Sequence, residues 1–580
     1  IYGIQAASLR YFSKPCTQLL QQEAALLVGM LKAPSRYHPV KNPDQAKARR
    51  NTVFAQMEGF GAVEKRAIDS LSRLPIELKY NKKTHHDGLA PHFREHLRAD
   101  LAIWCRQYGE AYGKKVDLYR SGLRITTSIH SRMQHYAEAA LKGQMKILQG
   151  KFDRHWEGFN KFKASKGYVD ELISRTDQVE AFRRDSLTED SIRILLQAIP
   201  ATPGFSWSES EEAISLLDSI ILEAFTLQAG MIAMDPTNGH IRAWVGGIDH
   251  RYSAFDQVLA ARQTGSVFKP LLYVSALEKG EDPCMYISNE RETYEDFQDW
   301  TPRNSDNFYG GQYSMEGALT HSVNVVSARL IMKIGIDPVL ETAKKLGIRR
   351  GLPHYPAIAL GAADIPLKEV VSAYATLANG GKYIEPKYIV RIEDREGKIL
   401  ADYSALDPGT RVVREESATM LTEMLEGVVN KGTGRALRSR HKLKMDLAGK
   451  TGTTQNQRDG WFVAYNPALV VGARVGGNDP RIHWRSLSQG QGATTALPIV
   501  GYFLQATTDD PDFAYLESVR FPPLSEEAKE RLDCADFTFP MGMSEFKLWW
   551  RARSSADSLL RLGLPVPDSI RILLQNDWVD

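Results

Sequence analysis

The chain has 580 residues, more than one hydrophobic core normally serves, so about two to four domains are expected. Hydrophobic residues make up 43% and charged residues 25%, ordinary globular usage that excludes disordered, collagen-like and low-complexity classes. Lys plus Arg (73) nearly balance Asp plus Glu (70), and a net charge of +3 gives no field that would draw nucleic acid.

The chain opens on IYGIQAASLRYF, with no initiator Met, basic stretch or apolar leader, and is read as starting inside a longer protein. No apolar run reaches the roughly 18 to 20 residues that span a bilayer, so any membrane anchor is expected upstream. Residues 1–70 are predicted as the end of an all-helical domain, where Pro34 and Pro39 stop the helix carrying LLQQEAALLVGMLK. Residues 71–225 are expected to be an interdomain region. It has a polar stretch up to about Val116, a strand in GLRITTSI (122–129), and then a helical insert with Trp156 and Trp207.

At 228 the pattern turns to strands, with QAGMIAMDPTNGHIRAWVGG predicted as a hairpin because Asn238-Gly239 accommodates positive φ. Helices are predicted over 268–279, 314–335 and 366–379. Strands return in KMDLAGKTGTT, GWFVAYNP and ALVVGARVGG. Helices between early and late strands predict an α+β domain over 226–508 around an antiparallel sheet. Residues 509–580 are expected to be a C-terminal appendage that includes the amphipathic SADSLLRLGLPVPDSIRILL.

Cys16, Cys105, Cys284 and Cys534 lie far apart without a CxxC pair, which argues against a structural metal site, and free thiols are expected ahead of disulfides. The histidines, His85-His86 and His354 included, have no ligand spacing with carboxylates and are expected at the surface or in the core. Arg458 and Asp459 are expected to form a structural ion pair.

Three short motifs carry chemistry. TGSVFKP places Ser266 three residues before Lys269, so both share one face of a helical turn and the lysine can serve as the base a serine hydroxyl needs. Alone, this pair fits a solvated helical turn better. THSVNVV places Ser322 two residues before Asn324, which suits a loop projecting both side chains and equally suits a helix N-cap. LAGKTGTT places Lys450, Thr451 and Gly452 on a strand, where the bare glycine would let a substrate backbone approach, and equally fits a hairpin corner with an exposed lysine. Their order, with Ser-x-Asn 56 residues after Ser-x-x-Lys and Lys-Thr-Gly 128 further on, matches the active-site triple of penicillin-binding proteins and serine β-lactamases.

Beyond the triple, RQTGSVFKP, IALGAADIPLKEVVSAYATLANGG and AGKTGTTQNQRDGWFVAYNPALVVGARVGGND resemble the transpeptidase domain of class A, bifunctional penicillin-binding proteins over roughly 225–505. Residues 1–70 are similar to the last third of the family's lysozyme-like glycosyltransferase domain. The resemblance puts the catalytic glutamates of that domain before Ile1. GLAPHF and DLYRSGLRITTSI resemble the linker between the two catalytic domains, and residues 150–215 depart from the pattern.

The resemblance implies acyl transfer from stem peptides ending in D-Ala-D-Ala through an ester on Ser266. It implies Lys269 as general base, Ser322 as proton relay under the influence of Lys450, and Asn324 as a contact to the substrate amide. It implies an oxyanion hole from the backbone N–H groups of Ser266 and Thr453, and substrate binding by Thr451, Gly452, Thr453 and Thr454 with Lys450 on the terminal carboxylate. No cofactor is expected for this step, and a divalent cation only for the glycosyltransferase half. The expected partners are peptidoglycan strands, β-lactams, the cytoplasmic membrane through an upstream anchor, and other wall-synthesis proteins, in an extracytoplasmic, periplasmic setting. A D,D-carboxypeptidase or β-lactamase-like hydrolase is the alternative within enzymes, and a non-catalytic wall scaffold the alternative outside them.

Overall fold

The computed structural model describes residues 3–81, 87–201, 205, 207 and 213–538. The chain forms two units, one from Ile1–Arg124 with Ile392–Leu400 and the other from Ile125–Arg391 with Ala401–Asp580. The pair His85-His86 and the amphipathic C-terminal run lie outside the described residues.

The first unit carries helices Ile4–Phe12, Gln21–Met30, Pro43–Gly59, Lys65–Arg73 and Pro91–Tyr112. Tyr11, Phe12, Leu26 and Leu27 gather in one apolar cluster. Arg50 is buried beside it, and its guanidinium donates to the carbonyls of Ser72 (3.1 Å) and Leu74 (2.9 Å), the satisfaction a buried cation requires.

In the second unit the elements that build the site are, in chain order, helix α1 (Ser131–His155), strands β1 (Gln228–Met234) and β2 (Ile241–Val245), and helix α2 (Lys269–Glu278). Strands β3 (Tyr286–Ser288) and β4 (Gln312–Ser314) follow, then helices α3 (Met315–Thr320), α4 (Asn324–Ile334), α5 (Leu367–Ala378) and α6 (Glu415–Asn430). Strands β5 (Ala448–Thr453), β6 (Asp459–Asn466) and β7 (Leu469–Gly476), helix α7 (Leu497–Thr508) and strand β8 (Phe537–Thr538) complete the set. The central sheet has the order β5-β6-β7-β1-β2, every pair antiparallel. First and last strands therefore meet in the middle of one sheet, as the α+β reading predicts. The β1–β2 hairpin turns at Gly239, whose φ of 76° suits a residue without Cβ.

Both faces of the sheet are covered, which is why β1, β6 and β7 read as nearly continuous apolar runs rather than alternating ones. Ala229, Met231 and Ala233 of β1, with Val471 and Ala473 of β7, share a cluster with Leu141, Met145 and Phe152 of α1 and Phe503 of α7. On the opposite face a Cβ at Gly472 would strike Val371 of α5, so that helix lies directly on the strand.

Three expectations need correction. The helical segment expected between the domains does not stand apart: α1 lies in the second unit and its apolar stripe covers one face of the sheet, because those strand side chains need a partner. The cysteines are not all free thiols. Cys284 and Cys534 form a disulfide across a sequence separation of 250, while Cys16 and Cys105 are free. Sequence distance concealed a pair whose Cα atoms lie 5.7 Å apart. Asp459 pairs with Arg474 rather than with its neighbour Arg458, because Arg474 reaches it from the adjacent strand, with Nε 2.7 Å from Oδ1. His354 is exposed and pairs with Asp337, 2.8 Å away.

Candidate active site

Ser266 sits in a short 3₁₀ turn, Gly265–Phe268, that runs directly into α2, so Lys269 begins the helix one turn after the serine. The turn is squeezed between two backbones. A Cβ on Gly361 would collide with the Gly265 carbonyl, and one on Gly265, whose φ is 55°, would lie 2.6 Å from the Thr453 carbonyl oxygen. Gly452 is bare for a related reason and not the one expected from sequence. The space beside it is filled by the Thr264 carbonyl, Val267 and Trp461, so the missing side chain admits the serine turn rather than a substrate.

Ser322 and Asn324 sit neither on a free loop nor at an N-cap, but at the junction of α3 and α4. The predicted helix over 314–335 breaks there in a Schellman motif, with Val323 N–H donating to Ala318 O (2.8 Å) and Ser322 N–H to Leu319 O (3.2 Å). Ser322 takes the left-handed position of that motif, at φ 61°, where glycine is the usual residue. The conformation is strained for a serine, and such strain persists only where the surroundings over-determine it. Asn304 is part of those surroundings: its Oδ1 accepts from Asn324 N–H (2.9 Å) and Val325 N–H (3.0 Å), capping α4.

Lys269 is completely buried and donates to Ser322 O (2.7 Å), Asn324 Oδ1 (2.8 Å) and Val323 O (3.1 Å), with Ser322 Oγ at 3.5 Å. Burial first, and then the charge of Lys450, push its pKa well below the usual lysine range, whereas the three oxygen acceptors favour its ammonium form. Lys450, also completely buried, donates to Ser322 Oγ at 2.8 Å and to Thr451 O at 3.2 Å. Burial lowers its pKa to about 7. Ser322 Oγ therefore receives a hydrogen from Lys450 while lying within reach of Lys269, a geometry in which one hydroxyl connects two lysines.

These groups flank a cleft of about 1180 Å³ lined by Ser266, Ser322, Asn324, Thr451, Thr453 and Thr454. Thr451 Oγ1 meets Thr433 Oγ1 at 2.7 Å, and Thr453 Oγ1 accepts from Gly492 N–H at 3.1 Å. Thr454 turns inward: its hydroxyl accepts from Asp459 N–H (2.9 Å) and so fixes the turn between β5 and β6. Trp300, Arg303, Asn304, Lys431, Thr433 and Arg435, all on the cleft wall, carry no signal in the sequence. They come from loops with no periodicity to mark them. Arg303 and Arg435 bring positive charge to the cleft, Lys431 being paired with Glu316 and Asp536, and among the described residues no Asp or Glu lines it. Nor, among the described residues, are three or more His, Cys, Asp or Glu side chains grouped to hold a metal ion.

The chain is similar to known proteins along most of its length. Residues 229–475 match the penicillin binding protein transpeptidase domain, and residues 1–58 match the transglycosylase family. The chain is 29% identical to penicillin-binding protein 1A of Neisseria flavescens, over 88% of this chain and 67% of that one. It is 27% identical to penicillin-binding protein 1A of Pseudomonas aeruginosa, over 90% and 73%. Among solved structures it resembles in fold penicillin-binding protein 1A of Haemophilus influenzae, with a TM-score of 0.64, 23% identity, and coverage of 88% of this chain and 83% of that one. With a transglycosylase match followed by a transpeptidase domain, and relatives alike along nearly nine tenths of its length, the chain belongs to the class A penicillin-binding proteins, enzymes of peptidoglycan synthesis.

Proposed function

We propose that this chain is a serine-type D,D-transpeptidase that joins stem peptides ending in D-Ala-D-Ala, with Ser266 as the nucleophile. The observation that carries the reading is the contact of three distant motifs at one cleft, which Ser266 also lines. Lys269, one helical turn from Ser266, donates to Asn324, and Lys450 donates to Ser322.

In the first step Ser266 Oγ attacks the carbonyl carbon of the penultimate D-Ala. Its proton passes to Lys269, whose lowered pKa supplies a neutral amine. A neutral amine donates only two hydrogen bonds, so Lys269 gives up one of its three acceptors when its lone pair faces Ser266. The backbone N–H groups of Ser266 and Thr453 stabilise the oxyanion, a contribution of about 2.7 to 4 kcal/mol for one donor. Support for that pairing is the close approach of the Gly265 and Thr453 backbones.

The peptide C–N bond then breaks, and the leaving D-Ala nitrogen takes a proton through Ser322, whose oxygen is held by Lys450. The ester on Ser266 is attacked by an amine of a second stem peptide. An amide forms, the ester C–O bond breaks, and the serine recovers its proton. Attack by water in place of the amine gives carboxypeptidase turnover. The cationic wall, with Lys450 and Thr451 at its back, complements a terminal carboxylate. A β-lactam, which presents a strained amide and a carboxylate in the same relation, acylates Ser266 and stays. No metal takes part in these steps as we read them.

Peptidoglycan lies outside the cytoplasm, so a periplasmic, membrane-attached setting goes with this reading. Among the described residues no helix is long and apolar enough to cross a membrane. Incubation with a D-Ala-D-Ala stem peptide and an amine-bearing acceptor is expected to give the cross-linked product with one D-Ala released per bond. Absence of any D-Ala release from an active preparation contradicts the proposal.

A further inference from the structure

The C-terminal segment up to Thr538 reaches the active site without lining it. Cys534 is tied by the disulfide to Cys284, in the connection that follows α2, the helix of Lys269. Two residues on, the Asp536 carbonyl accepts from Ser314 N–H (3.1 Å), and β8 then adds to β4 in register Phe537↔Tyr313 and Thr538↔Gln312. Tyr286 Oη donates to Ala535 O at 2.9 Å. The fit is specific: a Cβ at Gly317 in α3 would collide with the backbone of Asp536.

This seating delivers the Asp536 carboxylate to two walls of the site. Its Oδ2 lies 3.2 Å from Nε2 of His321, the residue before the strained Ser322. Its Oδ1 accepts from Lys431 Nζ at 2.7 Å, and Lys431 also reaches Glu316 Oε1 at 3.3 Å. Lys431 opens the loop whose Thr433 holds Thr451 of β5. One carboxylate on a disulfide-anchored strand therefore connects the Ser-x-Asn junction to the Lys-Thr-Gly strand.

We infer that Asp536 is a positioning residue for transpeptidation, and that the Cys284–Cys534 disulfide holds it in place, so the site is complete only while that disulfide is closed. The inference rests on the reading of Ser266 as the acylated serine. Asp536, His321 and Lys431 are partly open to water, and such pairs add little to global stability. Their effect belongs to the geometry of Ser322 and hence to the rate of acylation. Ser322 occupies a conformation that needs outside support, and His321 is the residue through which Asp536 gives it.

The test follows the labelling of the full chain by a fluorescent penicillin, separating the rate per labelled site from the fraction of sites labelled. Asp536→Asn is expected to slow the rate on the order of tenfold, within the usual range of coupling between sites, with the labelled fraction unchanged. Asp536→Glu, which keeps the charge, restores most of the rate. Cys534→Ser slows labelling to a similar degree, and adding Asp536→Asn to it slows labelling no further. Reduction of the wild type by a dithiol, which becomes a disulfide as Cys284 and Cys534 gain its two hydrogens, has the same effect and reverses on reoxidation. An unchanged rate in Asp536→Asn or Cys534→Ser, or a smaller labelled fraction at unchanged rate, overturns the inference. Failure of the wild type to be labelled at Ser266 would instead overturn the proposed function.

Discussion

Ser322 accepts a backbone conformation that costs an L-residue about 1–2 kcal/mol, in order to put its hydroxyl between two lysines. Ser322→Gly relieves that strain and removes the hydroxyl. It is expected to slow acylation by about a hundredfold or more, and to be about 1 kcal/mol more stable in denaturant unfolding than Ser322→Ala, since both lose the hydroxyl and only glycine relieves the strain. A glycine variant no more stable than the alanine variant would show that the position is not strained. Lys450 poses the same opposition of stability and activity through charge. Burial takes its pKa from 10.5 to about 7, so between those values the unfolded chain holds a proton that the folded chain has released. Stability from this group therefore rises with pH across that window and is absent below it. Lys450→Met is expected to melt above wild type at pH 6, by about 2–4 °C per kcal/mol of removed penalty, with the gap closing toward pH 10. A gap that stays constant with pH contradicts the assignment.

At the scale of elements, the site is assembled from the starts and ends of helices against one strand. The 3₁₀ turn of Ser266 and strand β5 meet because glycines at 265 and 452 remove the atoms that would keep them apart, Gly361 gives the turn room on another side, and Lys269 and Lys450 hold the α3–α4 junction beside them. Much of this was legible in the sequence: the hairpin at 235–239, the strands of the sheet, and the Ser266, Lys269, Ser322, Asn324 and Lys450 set are local signals of pattern and spacing. The break at 321–323 was not, since a serine occupies the position where glycine would have announced a helix end. The inward turn of Thr454, the Asp459–Arg474 pair and the wall residues Arg303 and Thr433 depend on which strands and loops become neighbours, and local periodicity carries no record of that. The same holds for α1, which reads as a charged, detached helix yet buries Leu141, Met145 and Phe152 against the sheet. Leu141→Ala is expected to cost about 2–5 kcal/mol. Penicillin labelling should then disappear at lower denaturant, with its native rate per site unchanged. A wild-type denaturation curve for labelling would mean that α1 is separable from the catalytic unit.

For the whole molecule, the covered sheet and the disulfide tie the described residues of the second unit together, with α1 packed on the sheet and the strand after Cys534 added to β4. Two parts that in sequence suggested an insert and an appendage, α1 and the segment around Cys534, belong to the unit that holds the cleft. Every step proposed for that cleft passes through a covalent bond to Ser266, and the most direct test is to find that bond. The intact protein is treated with penicillin, its mass measured over time, and the adduct located by peptide mapping. One persistent adduct is expected on the peptide containing Ser266, and none in Ser266→Ala. An adduct on another residue, undiminished labelling of Ser266→Ala, or rapid turnover of the drug would contradict it.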